Sequence, residues 1–328
     1  MSGGWNTIES DAGVFTHLIE SLGTKNVQFD ELISLDPDAL RELGAFGVVF
    51  LFKYPTDEKT SPTPRDGEFD YEAVDSQDDD RKVWFAAQTI QNACGTQALL
   101  SVLLNQTVDE NEENPVNLGI TLTEFKDFTS AFPADLRGEA LSNSDAIRET
   151  HNSFARSSPF ASDESRVAGA DDDVYHFIAY TSIHDTLYEL DGLQPAPIRH
   201  GDVGACPREV FADAVVPVLQ SRISRYPATE IRFNLLALCP DLRTRAREIG
   251  DSEMLEKEER KRREWAWENA LRRHNFVGFI GELMKGVTRS KLQDGTYDKW
   301  IEGAKETTSK RVQERQRKGH AADEMDMS

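Results

Sequence analysis

Residues 88–100 read Gln88-Thr89-Ile90-Gln91-Asn92-Ala93-Cys94-Gly95-Thr96-Gln97-Ala98-Leu99-Leu100, a polar turn followed by an apolar run. The apolar residues after Cys94 recur at helical spacing, which predicts a buried helix with the cysteine in its first turn. Asn92 and Thr96 are typical of a helix start, and Gly95 leaves the sulfur uncrowded. Because a helix N-terminus carries partial positive charge and free N–H donors, it favours a thiolate. Cys94 is therefore a candidate nucleophile.

Gln88 lies six positions before Cys94, and its side-chain amide could donate a hydrogen bond to an oxyanion formed at the sulfur. The alternative for Cys94 is a small buried hydrophobic residue, a common role for cysteine at the edge of an apolar run. A base close to the sulfur would favour the catalytic interpretation, and the chain offers one further on.

A hairpin carries that base. Residues 174–183 and 186–193 both have the composition of strands, and His184 and Asp185 between them form a two-residue turn. A loop of this length fixes the register of the two strands.

The register brings an imidazole and a carboxylate together. Counting inward from the turn, Ile178 faces Asp191, and His176 lies on the same face of the sheet as Ile178. His176 and Asp191 are therefore diagonal neighbours that a hydrogen bond can join. The imidazole could take the proton of a thiol and return it to a leaving amine, while the carboxylate orients the ring. A three-residue loop would place the two side chains on opposite faces.

Several motifs match one family in chain order. They are Trp5…Glu9-Ser10-Asp11, Gln88…Asn92-Ala-Cys94-Gly-Thr-Gln97, His151-Asn-Ser-Phe154, Tyr175-His176-Phe177, Tyr188-Glu-Leu-Asp191-Gly192 and Glu230-Ile-Arg-Phe-Asn-Leu235. Over roughly residues 5–240 the chain resembles the ubiquitin C-terminal hydrolase family of cysteine deubiquitinases. The resemblance implies a papain-like α/β (α+β) fold, with a central antiparallel sheet flanked by helices. We divide the chain into a catalytic domain, 1–240, and an all-helical C-terminal extension, 241–328.

The resemblance also implies the roles of individual residues. Cys94 would be the nucleophile, His176 the general base and acid, Asp191 the residue that orients His176, and Gln88 the oxyanion donor. Residues 155–173 would form a crossover loop that limits the size of the leaving group. It implies a ubiquitin-binding role for Glu9, Ser10, Asp11, Asn92 and Tyr175, and neither a cofactor nor a metal.

The extension contains a helix with one apolar face. Its side chains recur at helical spacing and are Phe276, Phe279, Ile280, Leu283 and Met284. This face could pack on the catalytic domain or dock a partner helix. The extension resembles that of the long, proteasome-associated subtype of the family, which implies binding to the proteasomal ubiquitin-receptor subunit. Because a chromatin-remodelling partner occurs in some members, the resemblance also implies a chromatin-remodelling subunit as a further possible partner.

Charge is distributed unevenly along the chain. Residues 241–328 hold 20 basic and 18 acidic side chains, so the remaining 17 basic and 40 acidic side chains lie in residues 1–240. A strongly acidic body argues against nucleic acid and would speed encounter with a basic protein. The longest apolar run, residues 46–52, is too short to span a membrane. Three cysteines without a CxxC pair suggest neither a disulfide framework nor zinc. We therefore expect an intracellular protein in a reducing compartment. The resemblance to the proteasome-associated subtype implies the cytoplasm and the nucleus.

The other elements follow from periodicity. We expect helices at 12–22, 122–132, 140–154 and 244–273, and a shorter helical region within 29–43 around Asp36-Pro37, where Pro37 suits the first helical position. We also expect a strand at 48–52 and surface loops at 54–82 and 107–117. Two other functions remain open: a different papain-like protease or transglutaminase, and a ubiquitin-binding scaffold whose triad is poorly aligned.

Overall fold

The computed structural model describes residues 4–53, 66–76, 78, 81–106, 115–154, 175–227, 230–274 and 276–310. The expected crossover loop at 155–173 lies outside these residues, as does most of the expected loops at 54–82 and 107–117. The chain divides into two compact units, Met1–Arg273 and His274–Ser328.

Strands of the first unit form one antiparallel sheet. Within the described residues they are β1 (Val27–Glu31), β2 (Gly47–Lys53), β3 (Glu68–Phe69), β4 (Tyr175–Ile183), β5 (Thr186–Leu190), β6 (Ile198–Arg199) and β7 (Asn234–Pro240). Their order across the sheet is β1-β7-β2-β4-β5-β6-β3, and every neighbouring pair is antiparallel. The predicted central antiparallel sheet is confirmed.

Helices cover both faces of the sheet. In the first unit they are α1 (Ala12–Ser21), α2 (Pro37–Leu43), α3 (Tyr71–Asp75), α4 (Cys94–Leu103), α5 (Gly119–Thr129), α6 (Ala134–Asn143), α7 (Asp145–Ser153), α8 (Phe211–Ile223), α9 (Leu242–Ile249) and α10 (Ser252–Arg273). The second unit contains α11 (Val277–Gln293), followed by helical residues 297–310.

The sheet separates two hydrophobic cores because successive strand residues point to opposite faces. Val49 and Ala179 belong to the core that contains α1 and α4, whereas their neighbours Phe50 and Ile178 belong to the core that contains α2 and α8. Every residue of α4 is buried. The helix that begins with Cys94 is therefore held on all sides.

The hairpin has the predicted register. Ile183 pairs with Thr186 and Ala179 pairs with Leu190, so the next position inward places Ile178 opposite Asp191. His184 and Asp185 have φ values of 47° and 57°. Two left-handed residues are what a two-residue type I′ turn requires.

Four predicted helical regions have bounds that differ by more than one residue in the structure. The helix expected at 244–273 is divided at Gly250, a left-handed C-cap, between α9 and α10. The range 29–43 begins in a strand, because Phe29 pairs with Leu238 of β7, and its helix starts at Pro37. The helix expected at 122–132 is α5, which ends at Thr129. The helix expected at 140–154 is two helices, because Ser144 ends α6 and its hydroxyl accepts a hydrogen bond from Ile147 N–H to cap α7.

Two helices of the expected extension, α9 and α10, belong to the first unit. Buried Arg262 of α10 donates to the carboxylate of Glu20 at 2.9 Å and to the amide oxygen of Gln28 at 3.3 Å. Trp265 lies against Gly13, where a Cβ atom would come within 2.6 Å of the indole. The compact unit thus runs beyond the catalytic domain expected at 1–240, and the division at 240/241 stays a prediction.

Candidate active site

Cys94 is the first residue of α4, and a short 3₁₀ turn, Gln91–Ala93, leads into it. Ala93 is the N-cap and has no side chain that accepts a hydrogen bond, so the positive end of the helix faces the cysteine. Asn92 does not cap the helix, contrary to expectation. Its amide donates instead to the carbonyl of Trp5 at 3.0 Å. A Cβ atom at position 95 would touch the rings of Phe15 and Phe177 at 3.4 Å.

His176 and Asp191 meet as the register predicts. The Nε2–H of His176 donates to Oδ1 of Asp191 at 2.6 Å, and both side chains are buried. His176 also shares a hydrogen bond with Cys94. The structure thus joins sulfur, imidazole and carboxylate in one sequence of contacts.

Asp191 is held by the turn that follows β5. Its Oδ1 accepts from Leu193 N–H at 3.0 Å, and its Oδ2 accepts from the Gln194 amide at 3.4 Å. These bonds fix the carboxylate on one side while His176 approaches from the other. The ring orientation is therefore set by an aspartate that is itself oriented.

Gln88 lies next to that turn. Its backbone N–H donates to the carbonyl of Gly192 at 2.7 Å. Two residues earlier, the carbonyl of Ala86 accepts from the Gln97 amide of α4 at 2.6 Å. A Cβ atom at position 192 would lie 2.1 Å from Nε2 of Gln97, so glycine is required there. The segment that carries Gln88 is thus fixed to both the Cys94 helix and the Asp191 turn.

The electrostatics favour a charged imidazole. Burial opposes the charge, but the charge and hydrogen bond of Asp191, with those of Cys94, outweigh it and raise the pKa of His176 to about 9. Burial also works against the ionised Asp191, yet the charge of His176 and the hydrogen bonds to the carboxylate hold the pKa of Asp191 below its usual value. The pair is therefore an imidazolium and a carboxylate at neutral pH. An imidazolium stabilises a neighbouring thiolate, which is the reactive form of cysteine.

The predicted substrate residues at the N-terminus contact α10. Arg272 donates to the carboxylates of Glu9 at 3.1 Å and Asp11 at 2.9 Å. Between them, Ser10 Oγ donates to the Asn234 side chain of β7 at 2.6 Å. Glu9, Ser10 and Asp11 are all partly exposed. Their predicted binding role remains untested.

Tyr175 and the apolar face of α11 are exposed. Tyr175 begins β4 immediately before His176 and is 37% exposed. In the second unit, each predicted partner-binding side chain is between 42% and 66% exposed: Phe276, Phe279, Ile280, Leu283 and Met284.

A buried histidine that the sequence does not single out contacts the first turn of α4. His151 of α7 contacts the Thr96 hydroxyl at 2.7 Å and the Asn6 carbonyl at 2.6 Å. The sequence offers His151 no carboxylate partner, and its actual partners are a hydroxyl and a backbone carbonyl. Its place in the His151-Asn-Ser-Phe154 motif was the available signal.

The described residues contain neither a cluster suited to a metal ion nor a membrane-spanning helix. Among the described residues, no group of three or more histidine, cysteine, aspartate or glutamate side chains is arranged to hold a metal ion. No helix in the same part of the chain is both long and apolar enough to span a bilayer.

Known proteins resemble this chain over most of its length. The family model of ubiquitin carboxyl-terminal hydrolase, family 1, matches residues 5–224, and a second model, of ubiquitin carboxyl-terminal hydrolases, matches residues 251–292. Ubiquitin carboxyl-terminal hydrolase 2 of Schizosaccharomyces pombe is 50% identical over 309 residues, which cover 92% of this chain and 96% of that protein. Ubiquitin carboxyl-terminal hydrolase ubh-4 of Caenorhabditis elegans is 35% identical over 93% of this chain and 94% of its own length.

A solved structure agrees with the sequence comparisons. The crystal structure of Trichinella spiralis UCH37 bound to ubiquitin vinyl methyl ester has a TM-score of 0.58 and 33% identity, and the match covers 82% of this chain and 97% of that one. With a matching family model over the Cys94, His176 and Asp191 motifs, this chain belongs to family 1 of the ubiquitin carboxyl-terminal hydrolases and is a deubiquitinating thiol protease.

Proposed function

We propose that the chain hydrolyses the peptide or isopeptide bond after the C-terminal glycine of ubiquitin through a thioester on Cys94. The observation that carries this proposal is the buried 2.6 Å contact between His176 and Asp191, with the hydrogen bond and charge of Cys94 among the causes that raise the pKa of His176. The Trichinella relative, which is bound to ubiquitin vinyl methyl ester, supports ubiquitin as the substrate.

The proposed reaction uses each of these groups in turn. The thiolate of Cys94 adds to the carbonyl carbon of the terminal glycine, and the carbonyl oxygen becomes an oxyanion near Gln88. The imidazolium of His176 gives its proton to the leaving amine as the C–N bond breaks. Water then attacks the thioester, His176 accepts the proton of that water, and the thiolate is released. Asp191 keeps the ring in place throughout.

The central test is the variant Cys94→Ala. We expect it to lose hydrolysis of a fluorogenic ubiquitin amide while its thermal unfolding stays close to that of the parent. Cys206→Ala is the matched control, because Cys206 is buried in the other core and should leave turnover intact. Full turnover by the Cys94 variant would refute the mechanism.

A ubiquitin-based electrophile separates this function from the two others left open by the sequence. Labelling at Cys94 is expected for a ubiquitin hydrolase. Failure to label would indicate another papain-like protease or a transglutaminase. Tight ubiquitin binding without turnover, even with a tail partner present, would indicate a binding scaffold.

Ubiquitin contacts are proposed for Glu9, Ser10, Asp11, Asn92 and Tyr175. Tyr175 is the most direct candidate, because it is exposed and adjoins His176 along the strand. Tyr175→Ala should raise the KM for the ubiquitin amide more than it lowers kcat. An unchanged KM would remove Tyr175 from the set.

A second proposal concerns α11, whose apolar face would dock the proteasomal ubiquitin-receptor subunit or, alternatively, a chromatin-remodelling subunit. Support comes from the exposure of Phe279 and Leu283 at 66% and 54%, which is unusual for large apolar side chains on one helix face. The variant Phe279→Asp/Leu283→Asp should lose binding to the purified receptor subunit. Lys285→Ala, on the opposite side of the helix, is the control. Equal binding by both variants would refute the assignment.

Localisation in the cytoplasm and nucleus is the third proposal. Its support is that Cys94, Cys206 and Cys239 are all free thiols, as expected in a reducing compartment. Imaging of a fluorescent fusion would test it, and a secreted protein would contradict it.

A further inference from the structure

One direct hydrogen bond and a two-bond bridge through His151 connect the turn that carries Cys94 to the same short N-terminal segment. Two residues before Cys94, the Asn92 amide donates to the carbonyl of Trp5 at 3.0 Å. Two residues after it, the Thr96 hydroxyl contacts Nδ1 of His151 at 2.7 Å, and Nε2 of the same ring contacts the carbonyl of Asn6 at 2.6 Å. The cysteine is thus bracketed by bonds to consecutive residues, Trp5 and Asn6.

The chemistry of the partners fixes the direction of each bond at His151. A backbone carbonyl can only accept, so Nε2 carries the proton that is donated to Asn6. Burial lowers the pKa of His151 despite the bond to Asn6, so the ring is neutral at neutral pH. Nδ1 then carries no proton and accepts from the Thr96 hydroxyl. His151 therefore connects a donor on α4 with an acceptor in the N-terminal segment.

The Thr96 hydroxyl bonds to His151 and not to a backbone carbonyl of its own helix. In a helix, a threonine hydroxyl often bonds to the carbonyl three or four residues earlier. Here the hydroxyl is fully buried and is directed to α7 instead. Breaking the bond would leave a buried hydroxyl and a buried ring nitrogen without partners, which is costly. The orientation of the first turn of α4 is therefore specified from outside the helix.

The other end of the bridge is held by further contacts besides the bond to His151 Nε2. The next residue, Asn152, accepts from Asn6 N–H at 3.0 Å and donates to the Gly4 carbonyl at 2.9 Å. The Trp5 ring lies edge-on to the His151 ring at 4.8 Å, and its Nε1–H donates to the Ser142 carbonyl at 3.3 Å. The segment is therefore a rigid anchor for the imidazole.

We propose that His151 is a positioning residue for the reaction, which holds the first turn of α4 through Thr96 so that the sulfur of Cys94 meets the imidazole of His176. It touches neither the substrate nor the reacting atoms. The proposal rests on the function proposed above for Cys94, because it assigns His151 a role in that chemistry.

The test follows the reactivity of the sulfur itself. We would measure the rate at which iodoacetamide alkylates Cys94 between pH 5 and 9, read from the mass of the Cys94 peptide, together with kcat and KM for the ubiquitin amide. Thr96→Val and His151→Phe should each lower kcat and the alkylation rate at neutral pH by about 10-fold, since small misplacements of reacting groups have effects of this order. KM should change less than kcat. The pH at which alkylation begins should rise, because a displaced turn weakens the contact between sulfur and imidazolium.

A double-mutant cycle separates the bridge from general damage. If Thr96 and His151 act through one bond, the double variant should be no worse than the poorer single variant. His151→Gln should retain most activity, since its amide can donate to Asn6 and accept from Thr96. Ser153→Ala, the matched control, removes an exposed hydroxyl of α7 that donates to the Thr150 carbonyl of the same helix, so its alkylation profile should match that of the parent.

Contrary results would be equally clear. Effects that multiply in the double variant, or an unchanged alkylation profile in Thr96→Val, would overturn the proposal. Thr96→Val removes one hydroxyl and little shape, so it keeps the test decisive even if His151→Phe does not fold. Alkylation does not depend on ubiquitin, so failure of this proposal can be distinguished from failure of the proposed hydrolysis.

Discussion

His176 owes its charge to its two partners. Buried without them, an imidazole would lose its proton more readily than in water, because burial penalises the charged form. Asp191 and Cys94 reverse that tendency and raise the pKa of His176 to about 9. Removal of one partner should therefore be visible in the pH dependence of the reaction.

Asp191→Asn is the corresponding prediction. Asparagine can still accept a hydrogen bond from Nε2 but carries no charge, so the pKa of His176 should fall. We expect the alkaline limb of kcat/KM, which reports loss of the imidazolium proton, to move to lower pH by about one unit or more. Initial rates with the ubiquitin amide between pH 5 and 10 would show it. Asp202→Asn, at an exposed site, should leave the limb in place.

The free energy of unfolding should also depend on the protonation of His176. Because the folded state raises the pKa of His176 above 6.5, the contribution of its protonation is full below pH 6.5 and is lost as pH rises through about 9. The Asp191→Asn variant should lose this decline in unfolding free energy. An alkaline limb and a stability profile identical to those of the parent would mean that Asp191 does not hold the proton.

The residues of the site differ in how far sequence could predict them. The contact between His176 and Asp191 follows from a two-residue turn and the alternation of strands, both of which are local rules. The contact of His151 with Asn6 joins residues that are 145 positions apart, and no periodicity marks it. Arginine contacts with Glu9 and Asp11 were missed for the same reason, since Arg272 lies in a distant helix.

Element boundaries depend on distant partners as well. Helix α5 ends at Thr129 because buried Arg137 donates to the carbonyls of Thr129 and Ser130 at 3.1 and 3.0 Å. Sequence periodicity continues to Phe132, so it predicts a longer helix. The helical region predicted at 29–43 overlaps strand β1. This strand forms because it pairs with β7, which lies far from it along the chain. Short-range sequence patterns therefore predict neither the end of α5 nor the start of β1.

The hairpin turn supports a prediction at this scale. Both turn residues are left-handed without being glycine, which costs backbone free energy. Asp185→Gly should therefore raise the free energy of unfolding by about 0.5–1 kcal/mol, as measured by urea denaturation. The carbonyl of residue 185, which accepts from Cys206 N–H at 2.7 Å, is kept.

Thr186→Gly provides the contrast for that experiment. Position 186 is the first residue of β5, where glycine has no conformational advantage and weakens the strand. We expect it to lower stability. A destabilising Asp185→Gly would show that the aspartate side chain contributes more than the strained backbone costs.

Charged side chains of α10 hold this helix against α1, β1 and the residue that follows β7. Composition predicted an acidic body and a nearly neutral extension, but α10 of that extension is held to the body within the first unit: Arg262 contacts Glu20, Gln28 and Asp241, and Lys261 contacts Asp30 at 2.6 Å. A boundary read from composition therefore does not coincide with the end of the compact unit at Arg273.

Arg262→Ala tests this interaction. Removing one member of a buried ionic network leaves its partners poorly compensated, so we expect a loss of about 3 kcal/mol in unfolding free energy. Urea denaturation of the full chain would measure it. Arg247→Ala, which breaks a largely exposed ion pair with Glu259, should cost less than about 1 kcal/mol. Similar losses in both variants would show that α10 is not anchored by its buried charges.

The position of β7 has a consequence for synthesis. This strand lies between β1 and β2, yet it is made after both of them and after every other strand of the described sheet. Until β7 has been synthesised, β1 has no strand to pair with and one edge of β2 stays unpaired. Unpaired strand edges invite aggregation. The nascent chain therefore exposes aggregation-prone strands for most of its translation. We expect folding chaperones to bind it until β7 has emerged from the ribosome.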